Sequence, residues 1–449
     1  MNLLAIPWIK AALRSRLYPA VFQWITVAVF AVLLAAALFG PNNAGQNFGM
    51  ALTWTVWWPL LPLSFVLFGR LWCAICPFAW VTDKVRKAVG VELSPPLLLR
   101  RYGLWVIAGL FVLVTYLEEA WGFNSDARKT GYLLLAVLLA VVFFGAFFER
   151  RTFCRHVCFI GAFAANYSRA GMLELRADTD RCRDCPTQAC QRGASDAAGC
   201  PVFLYAPSLD DSGTCELCAN CVKNCPRDAI RISTRRPGAE LWSIRQPHLC
   251  NAVLAAMVAG VVLIERFAQL GSWNSLIATA GAWLHVDPNV SFPLVYGTLL
   301  AMFLTVPLVG LVLASLGSQA FDGRVSSAEV RQNLSFAGSA VIPLALAGHL
   351  AHGLDRLLMW SRTVPLAAAA MVGWFPGNNG AAWLPRCGIL WIEVAVLALG
   401  AALALYVGYR LAQRQARRAP WLAYAPHGLL LLLLFAANLY AVAAMMRQL

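Results

Sequence analysis

Charged residues are scarce in this sequence. They make up 13% of its 449 residues, hydrophobic residues make up 60%, and the mean hydropathy is +0.63. A soluble protein keeps most of its surface in water and needs more polar side chains than this. The composition therefore excludes a chain that is soluble as a whole. The 22 acidic residues are outnumbered by 36 Lys and Arg residues. Basic loops on the cytoplasmic side of a membrane explain that excess, and we expect no nucleic-acid partner.

Two cofactor signatures are also missing. We find no Gly-x-Gly-x-x-Gly fingerprint of a dinucleotide-binding fold and no recognisable flavin site, so NADH and flavin are not expected to bind this chain. Histidine is rare, with six in the whole sequence. This limits the number of histidine pairs that could hold a haem.

Long apolar stretches are abundant. A hydrocarbon core about 30 Å thick needs roughly 20 apolar residues of helix. About nine stretches meet that standard, and they predict a mostly α-helical, polytopic transmembrane bundle. The predicted spans are residues 17–39, 49–69, 102–121, 131–149, 250–270, 292–317, 334–360, 387–409 and 424–446. The first span is too long for a signal peptide and lacks a cleavage site, so we interpret it as a retained anchor that contacts membrane lipid.

Basic residues follow every second predicted span. Arg70, Lys84 and Arg86 come after the second span and Arg150 after the fourth, whereas residues 40–48 carry no charge. By the positive-inside rule, the N-terminus and the whole 150–249 segment face the cytoplasm. We therefore predict a multi-pass protein of the cell inner (cytoplasmic) membrane, with its C-terminus outside.

The stretch around 171–249 is the one long hydrophilic part of the sequence. It predicts three domains. Residues 1–170 would form an N-terminal membrane domain of four helices in two hairpins, each ending in a cysteine pair. Residues 171–249 would form a cytoplasmic domain, and residues 250–449 a C-terminal membrane domain of about five helices.

Most of the fourteen cysteines lie in this hydrophilic stretch. One set reads Cys-x2-Cys-x2-Cys-x3-Cys-Pro, the bacterial ferredoxin run in which three cysteines bind one cluster and the fourth binds its neighbour. A second set precedes it and ends in Cys200 followed by Pro201. If the fourth cysteine of each set binds the cluster of the other set, the sequence predicts two 4Fe-4S clusters. Their ligands would be Cys182, Cys185, Cys190 and Cys225 for the first, and Cys200, Cys215, Cys218 and Cys221 for the second.

The cysteine spacing thus predicts a small α+β ferredoxin domain of the bacterial 2x4Fe-4S type, inserted between membrane helices. Two alternatives stay open. Four thiolates also suit a tetrahedral zinc ion, so two structural zinc sites are one alternative. A single cluster is the other, because Cys190 and Cys200 are irregularly spaced.

Two more cysteine pairs end the predicted helical hairpins. Cys73 and Cys76 follow the second span, and Cys154 and Cys158 follow the fourth, in segments 69–77 and 150–158 that look like copies of each other. Such a parallel repeat would bring four thiols together at the cytoplasmic membrane face. Four interpretations stay open: a further metal centre, redox-active dithiols, transient copper binding and a structural role.

This order of motifs resembles the membrane-anchored ferredoxins of the NapH, NosR and CcoG type over about residues 17–235. Those proteins carry a Cys-x3-Cys-Pro motif after two such hairpins and then a ferredoxin domain. The chain departs from the pattern with two residues between Cys73 and Cys76, and with Phe159 where proline is usual. The resemblance implies redox-active or metal-binding roles for the two cysteine pairs. It also implies electron transfer with the quinol pool or respiratory partners, or the assembly of copper enzymes.

Two histidines stand about one helical turn apart in the seventh predicted span. His349 and His352 share a face, and ionisable groups at membrane depth merit a functional hypothesis. They are candidates for a haem, copper or quinol site, with Glu393 in support. The alternative is that they only hydrogen-bond neighbouring helices while Asp355 and Arg356 pair with each other. A two-histidine haem is hard to build here, because the other histidines lie near helix ends or in loops.

These features predict an iron-sulfur electron-transfer protein. Single electrons would pass between the cytoplasmic clusters and quinol or a redox partner protein, as in a subunit of a quinol dehydrogenase-like oxidoreductase. Whether the chain itself is an enzyme is left open by the sequence. The alternative function is a redox sensor or a maturation factor that reduces or delivers copper for a respiratory metalloenzyme.

Overall fold

The computed structural model describes residues 1–245, 247–323, 325–374 and 382–448. Within these ranges, nine helices are long and apolar enough to cross a membrane, which confirms the predicted bundle. The nine spans are Ala20–Phe39, Phe48–Phe68, Leu97–Ala120, Ala127–Phe147, Leu249–Phe267, Phe292–Phe321, Ser327–Trp360, Arg386–Gln415 and Pro420–Met446. The protein is therefore a multi-pass membrane protein.

Several spans are longer than hydropathy predicts. The seventh has 34 residues, about 50 Å of helix against a hydrocarbon core of about 30 Å. Its first turn is polar, and the Ser326 hydroxyl caps it by accepting a hydrogen bond from the backbone N–H of Glu329 at 3.3 Å. A hydropathy window omits such turns because they extend beyond the apolar core.

The second span is not a uniform α-helix. It runs as Phe48–Met50 in α, Ala51–Trp57 in π and Trp58–Phe68 in α conformation. Pro59 and Pro62 lie just after the π segment, and neither can donate a backbone hydrogen bond. The i to i+5 pairing of the Trp58 N–H with the Thr53 carbonyl is the mark of this π segment.

Shorter elements complete the fold. The remaining α-helices are Pro7–Arg14, Leu71–Ile75, Pro77–Val89, Thr152–His156, Ile160–Ala170, Thr179–Arg183, Ala189–Arg192, Asn220–Asn224, Ala239–Ser243, Trp273–Leu284 and Thr363–Met371. The 3-10 turns are Leu3–Ala5, Ala44–Gln46 and Ala206–Ser208. Strands β1 (Leu173–Ala177) and β2 (Ile230–Thr234) pair antiparallel, with Leu173 opposite Thr234 and Ala177 opposite Ile230.

The chain divides into two compact units. The first contains residues 1–35, 63–110 and 132–245, and the second contains residues 36–62, 111–131 and 246–449. The domain boundaries predicted at residues 170 and 249 stay a prediction.

A ferredoxin-like module lies in the first unit, between β1 and β2. Its core buries Leu175, Val222, Ile230 and Ile232. Leu4, from the chain's N-terminus, is buried in the same core. Asn2 forms a bridge with Ser233, and Asp228 pairs with Lys10 and Arg14. The N-terminal residues therefore complete this small core, a role that their basic sequence did not reveal.

Two helices form the interior of the second unit. In Leu249–Phe267 and Ser327–Trp360, 78% of the most apolar window is buried, against 33–39% in the sixth, eighth and ninth spans. Small residues allow close approach at the crossings. A Cβ added at Gly400 would lie 2.1 Å from the Ala347 Cβ, and one added at Gly260 would lie 2.3 Å from the Phe303 carbonyl oxygen.

We predict that Gly400→Ala destabilises the second unit by about 1–3 kcal/mol, because the added methyl overpacks the crossing with Ala347. The matched control is Gly388→Ala in the same helix, where a Cβ meets nothing within 4 Å. Both changes gain the same helix propensity. Thermal unfolding in detergent should show a lower midpoint for Gly400→Ala than for Gly388→Ala, and equal midpoints would contradict the packing argument.

Candidate iron-sulfur centres

Eight cysteines of the module line two cavities. Cys182, Cys185, Cys190 and Cys225 line one of them. Cys200, Cys215, Cys218 and Cys221 line the other, and Cys190 also reaches it. This grouping coincides with the two crossed ligand sets predicted from the sequence.

Local backbone geometry explains how one short loop presents three sulfurs. Leu217 and Ala219 adopt left-handed conformations, with φ of 53° and 60°, and curl the chain between successive cysteines. The helix Asn220–Asn224 carries Cys221, and Cys225 leaves it in extended conformation before Pro226. Backbone N–H groups donate to the sulfurs, including Ala229 N to Cys225 Sγ at 3.2 Å. Such N–H···S bonds are among the groups that tune iron-sulfur potentials.

Asn224 holds the irregular loop between Cys190 and Cys200. Its side-chain amide donates to the Ala197 and Ala198 carbonyls at 2.9 and 3.1 Å, and its oxygen accepts from the Ala197 N–H at 3.0 Å. The side chain is buried. This supporting residue was missed in the sequence, although it directly precedes Cys225.

Without a metal, the thiols of the module favour their protonated form. Burial raises the pKa of Cys215 and of Cys218 to about 12. Both would keep their protons at neutral pH without a bound cation, since burial disfavours the charged thiolate. The half-buried Cys185 differs, because a hydrogen bond with Thr187 lowers its pKa. Metal binding must displace these protons and thereby contributes to folding.

The ligand spacing tests which metal the cavities fit. Zinc holds each thiolate at about 2.3 Å, which places its four sulfurs within about 4 Å of each other. Among the described residues, no group of three or more His, Cys, Asp and Glu side chains is arranged to hold a metal ion. The Cys-x2-Cys-x2-Cys-x3-Cys-Pro run is the spacing of bacterial ferredoxin sites, so the cysteines that line the cavities fit 4Fe-4S clusters.

The second and fourth spans bring their cysteine pairs together. Cys76, Cys154 and Cys158 pack against one apolar cluster built on Phe78 and Phe153. Cys73 also belongs to the group, since charges on Cys73 and Cys158 each raise the pKa of Cys76. We call Cys73, Cys76, Cys154 and Cys158 the membrane-face thiols.

These four cysteines are half-buried. Desolvation raises the pKa of Cys76 to about 12 and that of Cys158 to about 11. A raised thiol pKa disfavours the thiolate that a redox-active dithiol pair needs at neutral pH. A bound metal ion would displace these protons and take the thiolates as ligands.

Charged residues that the sequence reasoning missed surround the membrane-face thiols. Arg70 precedes Cys73 by three residues, and Arg151 precedes Cys154 by the same step. Arg151 is buried and pairs with Asp83 and with Glu216 of the ferredoxin run. The repeated arginine was the available signal.

The two histidines of the seventh span lie in different surroundings. His352 faces Gln269 through Nδ1 at 3.3 Å and Glu265 through Nε2 at 3.8 Å. The His349 ring lies 6.3 Å from the Trp58 ring. Because both nitrogens of His352 face protein groups, its environment does not favour haem ligation.

The expected pairing of Asp355 with Arg356 was wrong. Asp355 pairs with Arg386, and Arg356 lies 3.6 Å from Glu118. The two residues are neighbours in a helix and point in different directions, so each meets a different span. Glu393 pairs with Arg266 at 2.5 Å, and both side chains are fully buried.

The nine apolar helices define a multi-pass membrane protein, and comparisons with known proteins support an iron-sulfur electron-transfer role. Residues 50–101 and 130–173 match the family described as a 4Fe-4S binding domain. These segments contain the membrane-face thiols, whereas residues 182–225 lie outside them. The match confirms the resemblance to membrane-bound ferredoxin-type proteins.

Two curated proteins are similar to part of the chain. The methylamine utilization ferredoxin-type protein MauN of Methylobacillus flagellatus is 26% identical over 179 residues, which cover 37% of this chain and 51% of that protein. An uncharacterized protein of Methanocaldococcus jannaschii is 25% identical over 184 residues, covering 38% of this chain and 67% of its own length. The chain thus spans about half to two thirds of these relatives. No solved structure matches it.

Replacing Asn224 by Ala should loosen the loop that carries Cys190 and Cys200. The amide donates to the half-buried Ala197 and Ala198 carbonyls and to the buried Ala189 carbonyl, and losing such hydrogen bonds destabilises by about 1 kcal/mol each. We expect Asn224→Ala to lose iron faster than the wild type during chelator challenge, followed by visible absorbance. Ser195→Ala in the same loop is the control, because Ser195 is exposed. Equal rates of iron loss in the two variants would contradict this role.

Proposed function

We propose that the protein relays single electrons through three 4Fe-4S clusters, between the cytoplasmic face of the cell inner membrane and quinol or a respiratory partner protein. Eight cysteines lining two cavities in crossed sets are the observation that carries this proposal. When bound, such clusters accept and release single electrons. The chain supplies the ligands, their hydrogen bonds and the surrounding low dielectric.

The third cluster would be held by the membrane-face thiols. Each of the two segments that match the 4Fe-4S binding family contributes one cysteine pair. Together they supply four thiolates, the ligand set of a 4Fe-4S cluster. Cys76, Cys154 and Cys158 pack against one apolar cluster, which brings the two pairs together.

The cytoplasmic location is inferred from charge. Arg70, Lys84, Arg150 and Arg155 lie in the loops that carry the cysteine pairs, and basic residues accumulate in cytoplasmic loops. The ferredoxin module follows the same loops directly in the chain. We place the module and the membrane-face thiols on that side.

A quinol site is proposed within the second unit, around His352. Oxidation of a quinol releases two electrons and two protons, so its site needs proton acceptors. Glu265 and His352 lie 3.8 Å apart, and Gln269 contacts the same imidazole. Ionisable side chains in a membrane span are costly and mark functional pathways. These residues are suited to receive the quinol protons.

The cluster assignment predicts a stepwise loss of iron. Replacing Cys76 and Cys158 together by Ser should remove about four irons per chain, one cluster, and leave about eight. Cys387→Ser is the control, because Cys387 is exposed and lies outside the cysteine groups. Iron and sulfide analysis with EPR of the reduced protein measures both. An unchanged iron content in the double variant would refute the third cluster, and zinc-loaded colourless protein would refute all three.

The quinol site predicts slower reduction of the clusters by quinol. Loss of a proton acceptor costs roughly 10²- to 10⁴-fold in rate, so Glu265→Gln should slow cluster reduction by a quinol analogue while the iron content stays constant. Glu329→Gln at the exposed start of the seventh span is the control. Stopped-flow absorbance gives the rates. Equal rates in the two variants would exclude this quinol site. Reduction of copper at Cys73 and Cys76 would instead support the maturation function.

A further inference from the structure

Two arginines occupy the same position in the two repeated hairpins. Arg70 and Arg151 each stand three residues before the first cysteine of their pair. Arg151 pairs with Glu216, which lies between the cluster ligands Cys215 and Cys218 of the module. Arg70 donates a hydrogen bond to the Gly213 carbonyl of the same loop. The repeat therefore brings two positive charges to the loop that carries the ferredoxin run.

Hydrogen bonds fix this arrangement. The Arg151 Nη1 donates to Glu216 Oε2 at 3.1 Å, and its Nε and Nη2 donate to the two oxygens of Asp83 at 3.1 and 2.7 Å. Arg70 Nη1 donates to the Gly213 carbonyl at 2.7 Å, two residues before Cys215. Both hairpins thus hold the loop that carries the second cluster's ligands.

Burial makes the Glu216 charge unusual. Its side chain is 1% exposed and that of Arg151 is 3% exposed. Within the described part of the chain, Glu216 Oε1 is buried without a hydrogen-bond partner. A buried ion pair gives no stability advantage over apolar residues of similar size, so stability alone does not account for it.

Glu216 lies near thiols of both groups. Glu216 lines the module cavity together with Cys200, Cys215, Cys218 and Cys221. Its ion-pair partner Arg151 stands three residues before Cys154, one of the membrane-face thiols. One negative charge therefore lies within electrostatic range of the membrane-face thiols and of one module cavity.

We propose that the charges of Arg70, Glu216 and Arg151, which we call the charge bridge, set the redox potentials of the membrane-face centre and of the module cluster on Cys200, Cys215, Cys218 and Cys221. This inference rests on the proposed function, because it requires clusters at both thiol groups. Reduction adds one electron to a centre, with no bond made or broken at the bridge. A nearby carboxylate opposes that added charge, whereas a guanidinium favours it. The three side chains are positioning residues and do not ligate.

The sign of each charge gives the test. In the full-length, cluster-loaded protein, Glu216→Gln should shift the midpoint potentials of both centres upward, because it leaves the arginines uncompensated. Arg151→Gln should shift them downward. The double variant Arg151→Gln/Glu216→Gln should return close to the wild-type values, a cancellation that loss of packing would not produce. Potentiometric EPR titration measures all three.

Two controls distinguish an electrostatic effect on the potentials from a general loss of structure. The module's other cluster, on Cys182, Cys185, Cys190 and Cys225, should shift less. Glu240→Gln removes another buried carboxylate of the same unit, one that accepts hydrogen bonds from Ser212, and should leave the potentials near wild type. If Glu216→Gln or Arg151→Gln fails to retain iron, Arg70→Gln provides an independent variant with an expected downward shift.

The outcomes distinguish the two proposals. A wild-type protein with fewer than about twelve irons, four for each of three clusters, would overturn the proposed third cluster. Full iron content with unmoved potentials, or with shifts of the same sign in Glu216→Gln and Arg151→Gln, would overturn the charge bridge alone. Opposite shifts that cancel in the double variant would support it.

Discussion

The first unit depends on one constraint: it holds several cysteine sulfurs close to one another and away from water. Without metal, burial raises the pKa of Cys215, Cys218, Cys76 and Cys158, and the thiols keep their protons. As thiolates, they would repel one another in a low dielectric. Only a cation shared by several sulfurs removes both problems. The apolar core of the module is small, so we expect folding and cluster binding to be coupled.

The same constraint explains the other features around the thiols. Backbone N–H groups from left-handed turns point at the sulfurs, and Asn224 closes the irregular loop that a regular ferredoxin spacing would not need. The N-terminal residues add Leu4 to the core and pair Lys10 with Asp228. Each of these contacts restrains a segment whose own apolar content is too low to fold alone.

Local patterns were sufficient to predict the spans, because hydropathy is a property of neighbouring residues. The two predicted ligand sets coincide with the cysteines that line each cavity, and the assignment of clusters to them stays a prediction. Partners distant in the chain could not be predicted. Asn2 meets Ser233, and Asp355 meets Arg386, because packing decides those contacts. The Arg70 and Arg151 repeat was visible in the sequence, but its shared partner Glu216 was not.

The buried pair of Arg266 and Glu393 adds an independent argument about the second unit. Both side chains have 0% exposure within membrane spans, a position where an ion pair stabilises less than apolar residues would. Within the described residues, Arg266 Nε and Nη2 and Glu393 Oε1 have no hydrogen-bond partner. These atoms of Arg266 and Glu393 are thus buried inside the membrane without a hydrogen bond, although the two side chains form an ion pair. Stability alone therefore does not explain why this ion pair lies inside the membrane.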